Sequence, residues 1–192
     1  MDPLAKLIIG LVLFIGSHSA GIVAPAWRNR MAEQHGVAWK VLIGAIALTG
    51  LIGIVKGYAD ARLDPVVLYV TPAWLRHLSA LLMLPMFIFF FAPYFPGRIK
   101  TALKHPQLVA VKLWAFSHLL VNGMLADVVL FGSLLAWAVV DRISLKRRTP
   151  SDVPAVATSA ANDIILVVLG LVSYVLFTLW LHKAWIGVAP FG

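Results

Sequence analysis

The 192 residues contain no cysteine. That excludes disulfides, thiolate-ligated metals and covalent porphyrin attachment through CxxCH, so any bound iron or zinc would rely on imidazole, carboxylate or thioether. Acids are scarce as well. Eight Asp and Glu stand against sixteen Lys and Arg, and charged residues make up only 12% of the chain. No HExxH, GxSxG or phosphate-cradling glycine loop occurs, so ordinary hydrolytic and phosphoryl-transfer chemistries lack their motifs. Asp127 lies just inside an apolar segment near Asn122, and Asp163 is placed to open another as a helix-start acid. Asp60 and Asp64 flank Arg62 and are expected to pair with it.

What is present is apolar. Hydrophobic residues account for 61% of the chain, and the mean hydropathy is +0.91. Such values belong to a polytopic membrane protein. No long polar stretch marks a second domain, so residues 1–192 read as one all-α transmembrane bundle. The first apolar segment lacks the cationic leader and small-residue cleavage site of a removable signal peptide. Six spans are expected: Leu4–Ala26, Trp39–Tyr58, Trp74–Phe95, Pro106–Asn122, Leu125–Val140 and Asn162–Trp185. The fourth and fifth are short and form a hairpin about Asn122–Gly123, since about 20 apolar residues are needed to cross the hydrocarbon core.

The net charge of +8 follows from topology. Loop one carries Arg28, Arg30 and Lys40; loop three carries Arg98, Lys100 and Lys104; loop five carries Arg142, Lys146, Arg147 and Arg148. Against these ten cations the opposite side has five: Lys6, Lys56, Arg62, Arg76 and Lys183. The positive-inside rule puts the basic loops in the cytoplasm of a bacterial inner membrane and both termini on the periplasmic side. Basic loops beside anionic headgroups account for the charge without a nucleic-acid ligand.

Small residues mark where helices approach: Gly16, Ala20 and Ala24 in span one, Gly50, Gly53 and Gly57 in span two. The tryptophans, Trp137 among them, fall mostly near span ends as interfacial belt residues; Trp114, one helical turn before His118, does not. Of six histidines, His35 lies in a basic loop, His105 precedes Pro106 at a helix start, and His77 and His182 sit near outer span ends. His18 and His118 lie deeper in their spans. An imidazole there must have a specific partner, because neither its nitrogens nor its cation is tolerated bare in hydrocarbon.

Two imidazoles on different helices are a common way to hold haem iron. Trp114, Ser117 and Asn122 surround His118, and Ser117 or Asn122 is expected to hydrogen-bond the ring nitrogen turned away from the metal. Phe14, Ile22, Ser17 and Gly21 surround His18 with an apolar wall and a gap. Arg28 or Lys112 is available to pair with propionates. A zinc shell lacks the acids to complete it. Counting about 1.5 Å per residue leaves His18 and His118 mismatched in depth by roughly 10 Å, so His77 and His182 stand as alternative mates for His118.

The run RIKTALKHPQLVAVKLWAFSHLLVNGMLADVVLFGSLLAWAVVDRISLKRR, with GSHSAGIVAPAWR, DPVVLY and TPAWLRHLSALLMLP, closely resembles the NnrU family of bacterial membrane proteins over nearly the whole chain. The resemblance implies a role in nitric oxide and denitrification metabolism. The same domain resembles plant zeta-carotene isomerase, an integral membrane haem b protein that isomerises a cis double bond. By motif match its haem ligands fall on His18 and His118. The isomerase has a cysteine three residues before its second histidine, where this chain has Ala115, so ligand exchange through sulfur is not available here. Three readings follow. The first is a bis-histidine haem b protein serving as a redox or nitric-oxide-responsive component. The second is a haem-dependent cis-trans isomerase of a polyene or other lipid-soluble substrate. The third is a haem-free assembly factor or small transporter. The element Lys104-His105-Pro106 is also similar to one in isoprenylcysteine carboxyl methyltransferases, but their downstream acidic pair is missing.

Overall fold

A computed structural model describes residues 1–147 and 158–191. Nine α-helices are described: α1 (Pro3–Val23), α2 (Pro25–Ala61), α3 (Leu75–Met83), α4 (Met86–Phe91), α5 (Arg98–Leu103), α6 (Pro106–Leu119), α7 (Leu125–Arg147), α8 (Ala160–Leu176) and α9 (His182–Ile186). A π-helical stretch at Phe177–Leu181 joins α8 to α9. An isolated antiparallel bridge, Val67 to Met124, is the β pairing among the described residues.

Five segments are long and apolar enough to span a membrane: Pro3–Val23, Pro25–Ala61, Leu75–Tyr94, Leu125–Arg147 and Ala160–Ile186. The remaining expected span is shorter than its apolar run. α6 has 14 residues, a rise of about 21 Å, because Pro106 opens it and the chain leaves helical geometry before Gly123. Loop one is itself helical. Pro25 starts α2, and the kink falls at Gly36, whose φ of 47° and ψ of −110° favour a residue without Cβ. Of the loop-five cations, Arg148 lies outside the described residues.

One compact unit comprises Met1–Tyr69 with Gly123–Arg148. In it α1 and α2 run antiparallel along a glycine seam. A Cβ on Gly50 would stand 2.6 Å from the Phe14 backbone nitrogen, and one on Gly53 3.0 Å from Gly10 Cα. A Cβ on Gly57 would collide with the Leu7 backbone, and one on Gly10 with that of Ile54. The Gly50–Gly57 stripe therefore packs along the α1 backbone from Leu7 to Phe14, with Gly10 at its centre. Gly16 has open space around its Cβ direction and takes no part in the seam. The antiparallel register brings Lys6 Nζ to 2.7 Å from Asp60 Oδ2, so Asp60 pairs with a lysine 54 residues away in sequence. Arg62 sits 5.8 Å over the Tyr58 ring.

The second unit comprises Val70–Asn122 with Thr149–Gly192. Ile88, Ala92 and Leu166 form a buried cluster, and α8 closes on α4 where Gly170 meets Ile88. Asp163 lies in the first turn of α8 but caps another helix: its carboxylate accepts from the Arg98 and Ile99 N–H groups at 2.9 and 3.2 Å. Ser159 is the N-cap of α8. Between α5 and α6, Lys104 adopts φ 60° and ψ −48°, and the His105 N–H donates back to Leu103 O at 2.6 Å. That is a γ-turn at a residue with a Cβ, a strained conformation.

Candidate functional site

His18 belongs to the first unit, on α1. Its Nδ1 lies 2.7 Å from the carbonyl oxygen of Phe14. A carbonyl only accepts, so the hydrogen of the neutral ring is on Nδ1 and the lone pair on Nε2. Ser17 Oγ donates to the same carbonyl at 2.7 Å and stands 3.2 Å from Nδ1. The Phe14 ring packs beside the imidazole at 4.4 Å between centroids, forming the apolar wall that the i−4 position predicts. On the other flank Trp137 of α7 meets the ring edge-on, at 5.9 Å and 79°. The imidazole is exposed rather than deep in the protein. On a helix that crosses a membrane, an imidazole not covered by protein requires some other partner.

His118 belongs to the second unit, near the end of α6. Its Nδ1 lies 2.7 Å from Trp114 O, which again sets the lone pair on Nε2. The Trp114 ring sits 5.2 Å away. Ser117, one of the two expected side-chain donors, does not orient this ring. Ser117 Oγ is buried without a hydrogen-bond partner, and Ser117 instead presents its carbonyl to Ser79 Oγ at 3.0 Å. Asn122 reaches His118 through its backbone N–H, 2.8 Å from His118 O. Each ring is thus held by the carbonyl one turn earlier, a partner every helix supplies whatever its sequence.

The alternative histidines separate. His77 is exposed in the first turn of α3, its backbone N–H on Trp74 O. His182 follows the π-helical stretch and brings Nδ1 to 2.6 Å from Val188 O, so it carries the same tautomer as His18 and His118. His35 is exposed, and the His105 side chain makes no capping bond to α6. Among the described residues no group of three or more His, Asp or Glu side chains gathers to hold a metal ion. A zinc-type shell lacks its donors there, whereas a porphyrin iron asks the protein for only two axial imidazoles.

Two buried side-chain polar atoms among the described residues have no partner, Trp137 Nε1 and Ser117 Oγ. The Trp137 ring meets His18, and Ser117 precedes His118 in sequence. Trp137 escapes a reading based on motifs, because it marks its place only once α7 packs against α1.

A second buried polar centre lies in the first unit. Asp127, 1% exposed, accepts from Tyr58 Oη at 2.6 Å and from the Met124 N–H at 2.8 Å. The Leu68 and Tyr69 N–H groups converge on Gly123 O at 2.8 and 3.2 Å. Burial and the Asp127 carboxylate push the Tyr69 phenol above its ordinary value. This centre fastens the segment before α3 to the start of α7.

Comparison with known proteins bears on the whole chain. No curated protein and no solved structure matches it. The model of the NnrU protein family matches residues 6–190; the chain is a membrane protein of that family.

Proposed function

We propose that this protein is a haem b protein of the bacterial inner membrane. In this reading His18 and His118 are the axial ligands, and the protein acts as a redox or nitric-oxide-responsive component of nitrogen-oxide metabolism. The observation that carries the reading is the shared tautomer. Each imidazole, in a segment otherwise apolar, has Nδ1–H committed to a backbone carbonyl at 2.7 Å, which makes Nε2 the ligating nitrogen in this reading. A backbone carbonyl on the remote nitrogen is the arrangement that orients metal-bound histidines. Family membership supplies the metabolic setting. When bound, the haem would supply one-electron chemistry and a site for a diatomic ligand. The basic loops would face the cytoplasm and the termini the periplasm, by the ten-to-five asymmetry of cations.

The test is spectroscopic. Wild type, His18→Ala and His118→Ala are purified and compared for pyridine haemochrome content and low-spin Soret and α/β bands. Wild type should carry about one haem, and each variant should lose haem or its six-coordinate low-spin spectrum. If both variants keep wild-type haem and spectrum, the assignment is wrong, and His77 and His182 are tested next. A wild type that cannot be loaded with haem favours the haem-free assembly factor or transporter.

One observation favours the isomerase as a second reading. A cleft of about 210 Å³, lined by Met86, Phe87, Phe90, Ala110, Val111 and Trp114, opens on α6 one turn before His118. A wholly apolar cleft suits a lipid-soluble chain. Conversion of a cis polyene after dithionite reduction separates the two readings.

A further inference from the structure

The apolar cleft of the second unit has Met86, Phe87 and Phe90 of α4 on one wall and Ala110, Val111 and Trp114 of α6 on the other. α4 belongs to the span Leu75–Tyr94, so the cleft lies at hydrocarbon depth. From α4 the chain passes through a 3₁₀ turn at Ala92–Tyr94 and through α5, then returns on α6. Phe90 and Ala110 therefore mark the end of the cleft nearer α5.

That end carries positive charge. Lys100 Nζ is already engaged, donating to Pro93 O at 3.1 Å. Lys104 is exposed just before α6, and Lys112 is half-buried beside Val111, about 9 Å along the helix from Pro106. Cα–Cβ bonds tilt toward a helix N-terminus, so the Lys112 stem extends toward α5 and carries its ammonium that way. Among the described residues neither ammonium has an ion pair or hydrogen bond. The carboxylate of Asp163 is taken by the Arg98 and Ile99 N–H groups. A cation on a helix at membrane depth requires a partner. Lys104 also stands at a φ of 60°, where glycine would be unstrained, and such strain at a charged residue points to a task for its side chain.

We propose that the cleft and these cations form a site for one anionic phospholipid, with an acyl chain in the cleft and the phosphate held by Lys104 and Lys112. The inference is independent of the haem reading. In a bilayer the medium against an open apolar cleft is hydrocarbon, and a chain lying in it gives the lining side chains the contacts an empty cleft forfeits. Charge then selects among hydrocarbons. A polyene offers no acceptor to two ammonium groups, whereas a phosphodiester accepts charge-assisted hydrogen bonds from both. An anionic headgroup is preferred to a zwitterionic one, whose own cation opposes the lysines.

The experiment titrates lipid-stripped protein in detergent with phosphatidylglycerol, phosphatidylcholine and chain-free glycerol phosphate, counting bound molecules by native mass spectrometry. Lys104→Gln/Lys112→Gln should bind phosphatidylglycerol on the order of tenfold or more weakly than wild type, the scale of two cations near a headgroup, and phosphatidylcholine within about threefold of it. Val111→Phe, which fills the cleft, should weaken both lipids. Arg28→Gln/Arg30→Gln removes two cations from the first unit and should bind phosphatidylglycerol as wild type does. Unchanged phosphatidylglycerol affinity in the lysine variant overturns the proposal. So does an equal loss in the arginine variant, which would assign the effect to net charge. Glycerol phosphate binding as tightly as the lipid overturns it too, since the chain would then contribute nothing.

Discussion

Tyr58 donates its phenol hydrogen to Asp127 across 2.6 Å, joining residues 69 positions apart. The carboxylate is 1% exposed, and its other oxygen takes the Met124 N–H. Removing the phenol leaves a buried acid with one donor, and that penalty exceeds the worth of the bond itself. Tyr58→Phe is expected to destabilise the protein by about 2 kcal/mol, read as a lower thermal midpoint in detergent. Asp127→Asn should cost a similar amount, and the double variant should cost less than the sum of the two. Strict additivity would mean the two residues act independently.

The glycine seam gives a sharper contrast. Gly53→Leu forces side-chain volume against Gly10, and Gly57→Ala places a Cβ on the Leu7 backbone. Overpacking of this kind costs typically 1–3 kcal/mol. Gly16→Ala, with open space at its Cβ direction, should leave the midpoint where it is or raise it slightly, since alanine favours helix by about 1 kcal/mol over glycine. A loss at Gly16 equal to that at Gly57 would contradict the seam.

Lys104 holds φ at 60°, a region that penalises a side chain. Lys104→Gly should relieve that strain and raise stability by roughly 1 kcal/mol, net of the added freedom of the unfolded chain. Calorimetry in detergent measures it. A lower midpoint would show that the lysine side chain contributes more than its backbone costs.

The tautomers can be read directly. In haem-free protein labelled with ¹⁵N-histidine, the neutral rings of His18 and His118 should carry their proton on Nδ1 and leave Nε2 unprotonated. The ¹⁵N chemical shifts distinguish the forms. A proton found on Nε2 would remove the nitrogen assigned to the iron.

The local features were legible because they obey helical periodicity. The Gly50, Gly53 and Gly57 stripe, the placement of Phe14 and Trp114 one turn before each histidine, and the apolar segments all follow from spacings of three and four residues along one helix. Asp163 shows where such reasoning stops. Its position in the first turn of α8 was readable, yet its carboxylate serves the Arg98 and Ile99 N–H groups of α5. Helix-end donors take whichever acceptor folding brings to them.

From the sequence alone came the membrane class, the apolar segments and the two candidate histidines, since composition and hydrophobic run length answer to the solvent and not to neighbours in the fold. The hydrogen bond that sets each tautomer was available locally too, because a helix offers the i−4 carbonyl to every residue. Tertiary structure alone decided that Gly10 and not Gly16 faces the α2 stripe, and that Lys6 pairs with Asp60 across 54 residues. It also decided that an indole from α7 stands beside His18. Each of these depends on the register between helices distant in sequence. That register is set by how closely whole backbones can pack, and no local spacing encodes it.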